Sequence, residues 1–236
     1  MKTGRRVLIT GAGGFVGGAL ARGFAELGWD VIGVDRSFDT APDDACIRQI
    51  SCTLTDEVPD ELRAVGDIDV IVHGAWVTTD PETLGISEDE YRDLNLNPLV
   101  GAIALARSTA ANAFVFLSSS GVFRAGDAAD GRGLTDTDEP TGTSPYGKVK
   151  LEAERTVLRD FTDGKTAGHV VRLGYLFGPH EVARDTRRGV SLVGRWIASA
   201  REGRALEVRV DDPLREWTFA PDLAGALALL VENSPP

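Results

Sequence analysis

Short apolar runs alternate with longer amphipathic stretches along most of the chain. The apolar runs predict β-strands at residues 6–10, 30–34, 46–50, 70–73, 114–117 and 169–173. Between them, apolar residues at helical spacing predict helices at about 15–27, 87–111 and 145–161. This alternation predicts an α/β fold, a doubly wound parallel sheet whose strands are buried on both faces.

Two local signals mark the long helix predicted at 87–111. Ser87 and Glu90 have the spacing of a capping box at its start, and Pro98 predicts a kink or a split inside it. After residue 178 the alternation weakens into a charged loop, a helix near 191–202 and a last helix near 221–232. We therefore expect a main domain over 1–174 and a small C-terminal lobe over 175–236, whose last helix packs back on the main domain.

Composition and charge exclude several functional classes. The chain has 236 residues, 42% hydrophobic and 26% charged, with a formal net charge of −11. These values are typical of a globular protein, and no basic run could follow a nucleic-acid backbone. No apolar run has the length of a membrane span or a signal-peptide core, so we expect no membrane association and a cytoplasmic location. The two cysteines and three histidines lack metal-ligand spacing, so we assign no metal.

A glycine-rich turn joins the first predicted strand to the first predicted helix. It reads Thr10-Gly-Ala-Gly-Gly-Phe-Val-Gly17, in the strand–turn–helix context of the dinucleotide-binding fingerprint. Gly11 allows the tight turn, Gly14 lets the backbone approach a pyrophosphate, and Gly17 lets helix and strand pack closely. Residues 1–174 are therefore predicted to form a dinucleotide-binding, Rossmann-type domain, and the lobe at 175–236 is predicted to face the substrate.

The residue that ends the second predicted strand bears on the choice of cofactor. Asp35 stands about 20 residues past the turn, where a carboxylate accepts hydrogen bonds from the adenosine ribose. An anion there repels the extra phosphate of NADP, although Arg36 beside it could pair with that phosphate. The sequence therefore favours NAD and makes NADP the less favoured cofactor.

Tyr146 and Lys150 are one helical turn apart and share one face of the helix predicted at 145–161. A tyrosine acts as a base only after losing its proton, and its ordinary pKa of about 10 lies roughly three units above neutrality, a gap of about 4 kcal/mol. We expect the Lys150 ammonium, together with the positive charge of an oxidised nicotinamide ring, to lower this pKa, and we expect Lys150 to hold the nicotinamide ribose. A serine run at 118–120 follows a predicted buried strand, where a hydroxyl could bind the reacting oxygen.

Taken together, these motifs resemble the short-chain dehydrogenase/reductase superfamily. Within it, the chain is most similar to the extended branch of NAD-dependent epimerases and dehydratases that act on nucleotide sugars. Besides the glycine turn and the Tyr146–Lys150 pair, the resemblance rests on His73-Gly-Ala75 and on the segments 114–123, 172–179 and 215–224. It covers nearly the whole chain.

The resemblance implies a role for particular residues. It makes Ser119 the catalytic hydroxyl, Tyr146 the acid/base and Lys150 its support, with Ser120, Tyr175 and Arg215 contacting substrate. It implies that the cofactor is contacted by the following residues: Gly11, Gly14, Phe15, Val16, Gly17, Asp35, Arg36, Leu54, Ala75, Asn95, Tyr146 and Lys150. It also implies a homodimer formed through two long helices, one of which starts near Tyr146.

The chain departs from the family pattern at several positions. Thr53 stands where many members carry an aspartate that contacts the adenine, and Tyr175 replaces an asparagine that touches substrate phosphates. Ser120 and Gly121 occupy the places of the Asp-Glu pair of relatives that eliminate water, so dehydratase chemistry is disfavoured. Arg215 matches the arginine that pairs with nucleotide-sugar phosphates, which leaves the indications for such a substrate divided.

We therefore expect an oxidoreductase or epimerase that transfers hydride between NAD and a secondary alcohol or ketone carbon of a small-molecule substrate, a sugar or nucleotide sugar being favoured. Two alternatives remain open at this point. One is a simple NAD(P)-dependent dehydrogenase or reductase of a non-nucleotide substrate. The other is a non-catalytic protein that senses the dinucleotide, which the presence of Ser119, Tyr146 and Lys150 disfavours.

Overall fold

A six-stranded parallel sheet forms the centre of the protein. The computed structural model describes residues 4–38, 45–124, 127, 133–135, 137–208 and 216–233. The strands of the sheet are β1 (Arg6–Thr10), β2 (Asp30–Asp35), β3 (Ile47–Ser51), β4 (Val70–His73), β5 (Ala113–Ser119) and β6 (Ala167–Leu173). They are arranged in the order β3-β2-β1-β4-β5-β6, so the predicted doubly wound, Rossmann-type fold is confirmed.

Helices cover both faces of this sheet. They are α1 (Phe15–Glu26), α2 (Asp60–Arg63), α3 (Pro81–Leu84), α4 (Glu88–Ser108), α5 (Pro145–Asp160), α6 (Leu192–Arg201) and α7 (Leu223–Glu232). On one face, α4 and α5 pack on β4 and β5 through a core that includes Leu99, Phe114 and Val157. On the other face, Phe24 of α1 and Leu227 of α7 pack on the central strands.

Two expectations about individual elements need correction. The strands predicted at 46–50 and 169–173 are not buried on both faces, because β3 and β6 lie at the two edges of the sheet. Arg48 and Gln49 of β3 are exposed, and Leu173 is the one fully buried residue of β6. Pro98 does not split its helix, since α4 continues unbroken from Glu88 to Ser108. A proline has no N–H to offer the carbonyl four residues earlier, which belongs to Leu94, and that residue is 41% exposed to solvent. The capping box of Ser87 and Glu90 is confirmed.

The C-terminal part of the chain adds a smaller sheet beside the carboxyl ends of the main strands. Its strands β7 (Tyr175–Phe177) and β8 (Trp217–Phe219) pair in parallel, and the rings of Tyr175 and Trp217 lie 5.6 Å apart at an interplanar angle of 48°. None of the residues of α6 is fully buried. Among the residues that the structure describes, no helix combines the length and apolarity needed to cross a bilayer.

Helices α1 and α7 approach closely at Gly23. A Cβ added at this glycine would lie 2.5 Å from the Cβ of Ala224, whereas one added at Gly225 would meet open space. Alanine favours a helix at both positions, but only Gly23→Ala must push two helices apart. We expect Gly23→Ala to be about 1–3 kcal/mol less stable than Gly225→Ala. Urea unfolding followed by tryptophan fluorescence would measure the difference, and equal stabilities would contradict it.

Candidate active site

The carboxyl ends of the central strands open into a cavity of about 1270 Å³. It lies where β1 has β2 on one side and β4 on the other, the point at which strand order reverses and doubly wound sheets bind ligands. The structure brings most of the predicted site residues together in its lining: Gly11, Gly14, Phe15, Val16, Gly17, Asp35, Arg36, Leu54, Ala75, Ser119, Tyr146, Lys150 and Tyr175.

Three predicted residues stand apart from this set. Asn95 is 1% exposed and lies outside the lining, where its Oδ1 accepts a hydrogen bond from Val77 N at 2.8 Å and its Nδ2 donates to Tyr91 O at 3.0 Å. Both ends of its amide are used within the fold, so it holds the chain after β4 rather than facing the cavity. Ser120 also lies outside the lining. Arg215 lies outside the described residues.

The glycine turn is packed so tightly that three of its glycines could not carry a side chain. Gly11 has a φ of 77°, and a Cβ there would lie 2.7 Å from Ala75 N. A Cβ on Gly17 would collide with the carbonyl oxygen of Gly11. Gly13, which the fingerprint spacing does not single out, is constrained as well, because its Cβ would collide with the Ser37 carbonyl oxygen. The turn therefore lies directly against both neighbouring strand ends.

The start of α1 offers backbone donors to the cavity. Gly14 is its N-cap and provides no side-chain cap, and no acidic residue stands in the first turn. The first N–H groups of a helix carry partial positive charge and bind phosphates. A close-packed glycine turn, uncapped donors and a carboxylate at the end of β2 together fit the pyrophosphate and ribose of NAD.

Asp35 is fixed at the end of β2 by the turn itself. Its Oδ2 accepts a hydrogen bond from Gly13 N at 3.0 Å, and its Oδ1 accepts one from Ser37 N at 3.3 Å. The carboxylate thus faces the cavity from a defined position, while Arg36 lines the cavity beside it. This arrangement supports recognition of the ribose hydroxyls.

Asp35→Asn is expected to weaken the preference for NAD over NADP by about tenfold, because removing the negative charge removes repulsion of the extra phosphate. The amide keeps an oxygen that can accept the Gly13 N–H. Asp30→Asn is a matched control, since Asp30 is exposed at the other end of β2 and pairs with Arg6. Fluorescence titrations with both dinucleotides would measure the ratio of dissociation constants, and a ratio unchanged in Asp35→Asn would refute the assignment.

Ser119 and Tyr146 meet at the end of β5. Ser119 Oγ accepts a hydrogen bond from Gly121 N at 3.0 Å. Gly121 packs against both side chains, since a Cβ there would lie 3.0 Å from Cε1 of Tyr146 and 3.3 Å from Ser119 Oγ. Burial raises the pKa of Tyr146, and a hydrogen bond with Ser119 offsets part of that rise. The groups of the polypeptide therefore raise the pKa of Tyr146, whereas the spacing of Tyr146 and Lys150 predicts that it is lowered.

Lys150 explains this difference, because its ammonium group is directed into the sheet. Its Nζ donates to the Leu117 carbonyl oxygen at 2.6 Å and lies 3.8 Å from the ring centroid of Trp76, but 5.9 Å from that of Tyr146. Burial lowers the pKa of Lys150 well below its usual value, and Glu154 partly offsets this. No sequence pattern pointed to Trp76, which lies within the cavity lining.

A buried polar network supports the strand end from behind. Ser118 donates to the Glu154 carboxylate, which also receives Arg172 Nη2 at 2.7 Å. His73, the last residue of β4, is fully buried. Burial, and to a smaller extent the charge of Lys150, lowers its pKa to about 3. His73 is therefore neutral at pH 7, and its Nδ1 hydrogen-bonds Thr10 Oγ1 at 2.9 Å. Ser118 lines the cavity, whereas His73, Glu154 and Arg172 lie outside its lining and support it from behind.

A segment after β7 crosses the cavity, and we call residues 181–191 the strap. The Thr186 carbonyl oxygen accepts hydrogen bonds from Thr78 N at 2.8 Å and Thr79 N at 3.1 Å, which fixes the strap to the chain after β4. Arg184 Nη2 donates to Ser37 O at 3.1 Å, which fixes it to the end of β2. In the sequence, the only signal for the strap was a charged loop rich in arginine.

Comparison with known proteins identifies the family. Residues 7–236 match the model of the NAD dependent epimerase/dehydratase family. The chain is 30% identical to the 2-alkyl-3-oxoalkanoate reductase of Stenotrophomonas maltophilia (strain K279a), over 84% of this chain and 57% of the reductase. It is 27% identical to the dTDP-6-deoxy-L-talose 4-dehydrogenase (NAD(P)(+)) of Kitasatospora kifunensis, over 98% of this chain and 72% of that protein. The chain thus spans little more than half the length of the reductase.

A solved structure shows the same fold. MoeE5, in complex with UDP-glucose and NAD, superposes with a TM-score of 0.73 at 24% identity, over 97% of this chain and 72% of MoeE5. The match of nearly the whole chain to the family model agrees with the glycine turn, the strand order and the cavity described above. The chain therefore belongs to the NAD dependent epimerase/dehydratase family, whose members are enzymes that use NAD.

Proposed function

We propose that this protein is an oxidoreductase or epimerase that oxidises or reduces a secondary alcohol or ketone carbon of a sugar or nucleotide sugar with NAD. One observation carries the proposal: Ser119 and Tyr146 meet at the end of β5, in the same cavity as the glycine turn. Lys150, one helical turn after Tyr146, lines that cavity too. That combination supports redox chemistry on a carbon–oxygen bond. Tyr175, and Arg215 by its position in the family motif, are proposed to contact the substrate.

The residues of this chain divide the chemistry between them. When bound, NAD supplies the acceptor or donor of hydride. Ser119 Oγ binds the substrate oxygen, and Tyr146 Oη takes the hydroxyl proton during oxidation or returns it during reduction. Lys150 is proposed to hold the nicotinamide ribose and, when it is protonated, to favour the phenolate of Tyr146 electrostatically. The same residues serve net oxidation. They also serve epimerisation, if the oxidised substrate rotates in the site so that hydride returns to the opposite face of its carbonyl carbon.

A substrate panel tests whether the protein catalyses net oxidation or epimerisation. Purified protein is incubated with NAD and either UDP- and dTDP-sugars or non-nucleotide secondary alcohols, while NADH absorbance and product stereochemistry are followed. NADH formation identifies net oxidation, and a new diastereomer without net NADH identifies epimerisation. Failure to convert any member of a broad panel, by a protein that binds NAD, would contradict the proposal.

A reductase of a non-nucleotide substrate is the second candidate. It is supported by the 30% identity to 2-alkyl-3-oxoalkanoate reductase and by Tyr175, which stands where nucleotide-sugar enzymes carry an asparagine. A further arm of the panel, with 3-oxo acids as substrates and NADH or NADPH as reductant, distinguishes it. Reduction of these acids without turnover of any nucleotide sugar would favour this second candidate.

We also propose a homodimer through α4 and α5. Val100 of α4 and Leu158 of α5 are large apolar side chains that are 44% and 56% exposed. Burying them between two copies would remove this apolar surface from water. Sedimentation equilibrium would give the mass, and a monomer at micromolar concentration would contradict the proposal.

A further inference from the structure

Arg187 of the strap presents one free edge of its guanidinium beside the glycine turn. Its Cζ lies 5.1 Å from the ring centroid of Phe15, the first residue of α1. Its Nη2 pairs with Glu181 Oε1. Its Nη1 is buried and has no hydrogen-bond partner among the described residues. Buried donors are nearly always paired in proteins, so this atom points to a ligand.

The guanidinium is held in place from behind. Glu181 accepts hydrogen bonds from Ser191 N at 2.8 Å and Ser191 Oγ at 2.6 Å, in addition to its pair with Arg187. Its side chain is only 3% exposed, so the carboxylate has a fixed position. The charge-assisted pair with Glu181 orients the planar guanidinium of Arg187, and the donors that do not face Glu181 remain available to a ligand.

The strap carries Arg187 over the middle of the cofactor crevice. Arg184 attaches one part of the strap beside Ser37, on the side of Asp35, and Thr186 attaches the next part beside Thr78, on the side of β4. The start of α1 lies between these two strand ends, and residues 10–17 contain no cationic side chain. A dinucleotide that spans the crevice brings two phosphate charges to this point.

The other cations of the cavity lining lie elsewhere. Lys150 is engaged by Leu117 and Trp76, and Arg184 by Ser37 at the adenosine side. Arg36 follows directly after Asp35 at that same side. Arg187 is therefore the cation of this lining that contacts the first residue of α1.

We propose that Arg187 binds the pyrophosphate of NAD opposite the N-terminus of α1, with Glu181 as its positioning residue. The strap then forms the second half of the phosphate site, and closing it over the dinucleotide excludes water. The inference rests on the proposed use of this cavity for NAD. A diphosphate of a nucleotide-sugar substrate has the same chemistry, so the experiment compares both sources.

Binding of NAD, ADP-ribose, adenosine and UDP to the full chain is measured by isothermal titration calorimetry. Arg187→Met is expected to weaken the binding of NAD and of ADP-ribose by roughly 10- to 100-fold, because a hydrogen bond to a charged group is lost. Adenosine, which lacks phosphate, is expected to bind as it does to the unmodified protein. The dependence of NAD affinity on salt is expected to become shallower, because one charge pair is lost.

Arg188→Met is the matched control. It removes the same charge from the neighbouring position of the strap, but Arg188 is exposed and lies outside the cavity lining. We expect it to change NAD affinity by less than about twofold. Arg187→Lys keeps the charge but not the paired donors of the planar guanidinium, so its NAD affinity is expected to lie between those of the unmodified protein and Arg187→Met. Glu181→Gln is expected to weaken NAD binding less than Arg187→Met does.

The outcomes separate this inference from the proposed function. If the unmodified protein binds NAD and Arg187→Met binds it equally well, the inference fails and the cofactor assignment stands. If Arg187→Met weakens UDP but not NAD, the guanidinium serves the substrate and the inference also fails. A parallel loss of adenosine binding would indicate a distorted strap and contradict a phosphate-specific role. If the unmodified protein does not bind NAD, both proposals fall.

Discussion

Tyr146→Phe is expected to lower kcat by about 100- to 10,000-fold while the affinity for NAD changes little, because only the proton-transferring hydroxyl is lost. The ring remains to fill the space beside Gly121. Initial rates with the substrate identified by the panel, together with NAD titrations, would measure both quantities. In the unmodified enzyme, oxidation should accelerate as pH rises, since burial raises the pKa of Tyr146 and its deprotonated form is the base.

Two results would count against this role for Tyr146. A variant whose kcat stays within tenfold of the unmodified enzyme would show that another group moves the proton. A variant that loses NAD binding would show that the hydroxyl serves the fold or the cofactor instead. Ser119→Ala provides a companion measurement, and it is expected to reduce kcat by roughly 10²- to 10³-fold, the cost of removing one preorganised donor.

Glu154→Ala is expected to reduce the free energy of unfolding by about 3–5 kcal/mol, because it leaves Arg172 without its carboxylate partner and Ser118 without its acceptor. The side chain of Glu154 is 3% exposed and that of Arg172 is 26% exposed, so water compensates this loss poorly. Urea unfolding monitored by tryptophan fluorescence and by circular dichroism would measure the change.

Glu152→Ala is the matched control, on the same helix. Glu152 pairs with Arg92 of α4, but both side chains are well exposed, at 40% and 45%. Such exposed ion pairs contribute about 0–1 kcal/mol to the free energy of unfolding. Equal losses in the two variants would contradict the buried-network explanation. Replacing both Glu154 and Arg172 by methionine is expected to restore much of the stability, since no unpaired charge then remains.

Much of the fold followed from periodicity, because a parallel sheet with helices on both faces leaves a regular trace in the chain. Strands β1, β2, β4, β5 and β6 and helices α1, α4, α5, α6 and α7 lie close to where the pattern predicts them. The pattern did not predict that β3 and β6 lie at the edges, since edge and central strands differ in neighbours that the local sequence does not contain.

The candidate site followed from the sequence only in part. Gly11, Gly14 and Gly17, and the pair Tyr146 and Lys150, were found because each motif is a spacing within one turn or one helix. Asn95 illustrates the limit, since the structure uses both ends of its amide inside the fold. The partners that occupy it, Val77 and Tyr91, could not be read from its position in a motif.

By itself, the sequence determined the fold class, the dinucleotide turn and the residues proposed for proton transfer, because these depend on local spacing and on side-chain chemistry. Only the tertiary structure decided that Gly13 lies against Ser37, that Lys150 lies over Trp76, and that the strap brings Arg187 to Phe15. Each of these contacts joins residues far apart in the chain. Such contacts arise from the packing of whole elements, which no short window of sequence encodes.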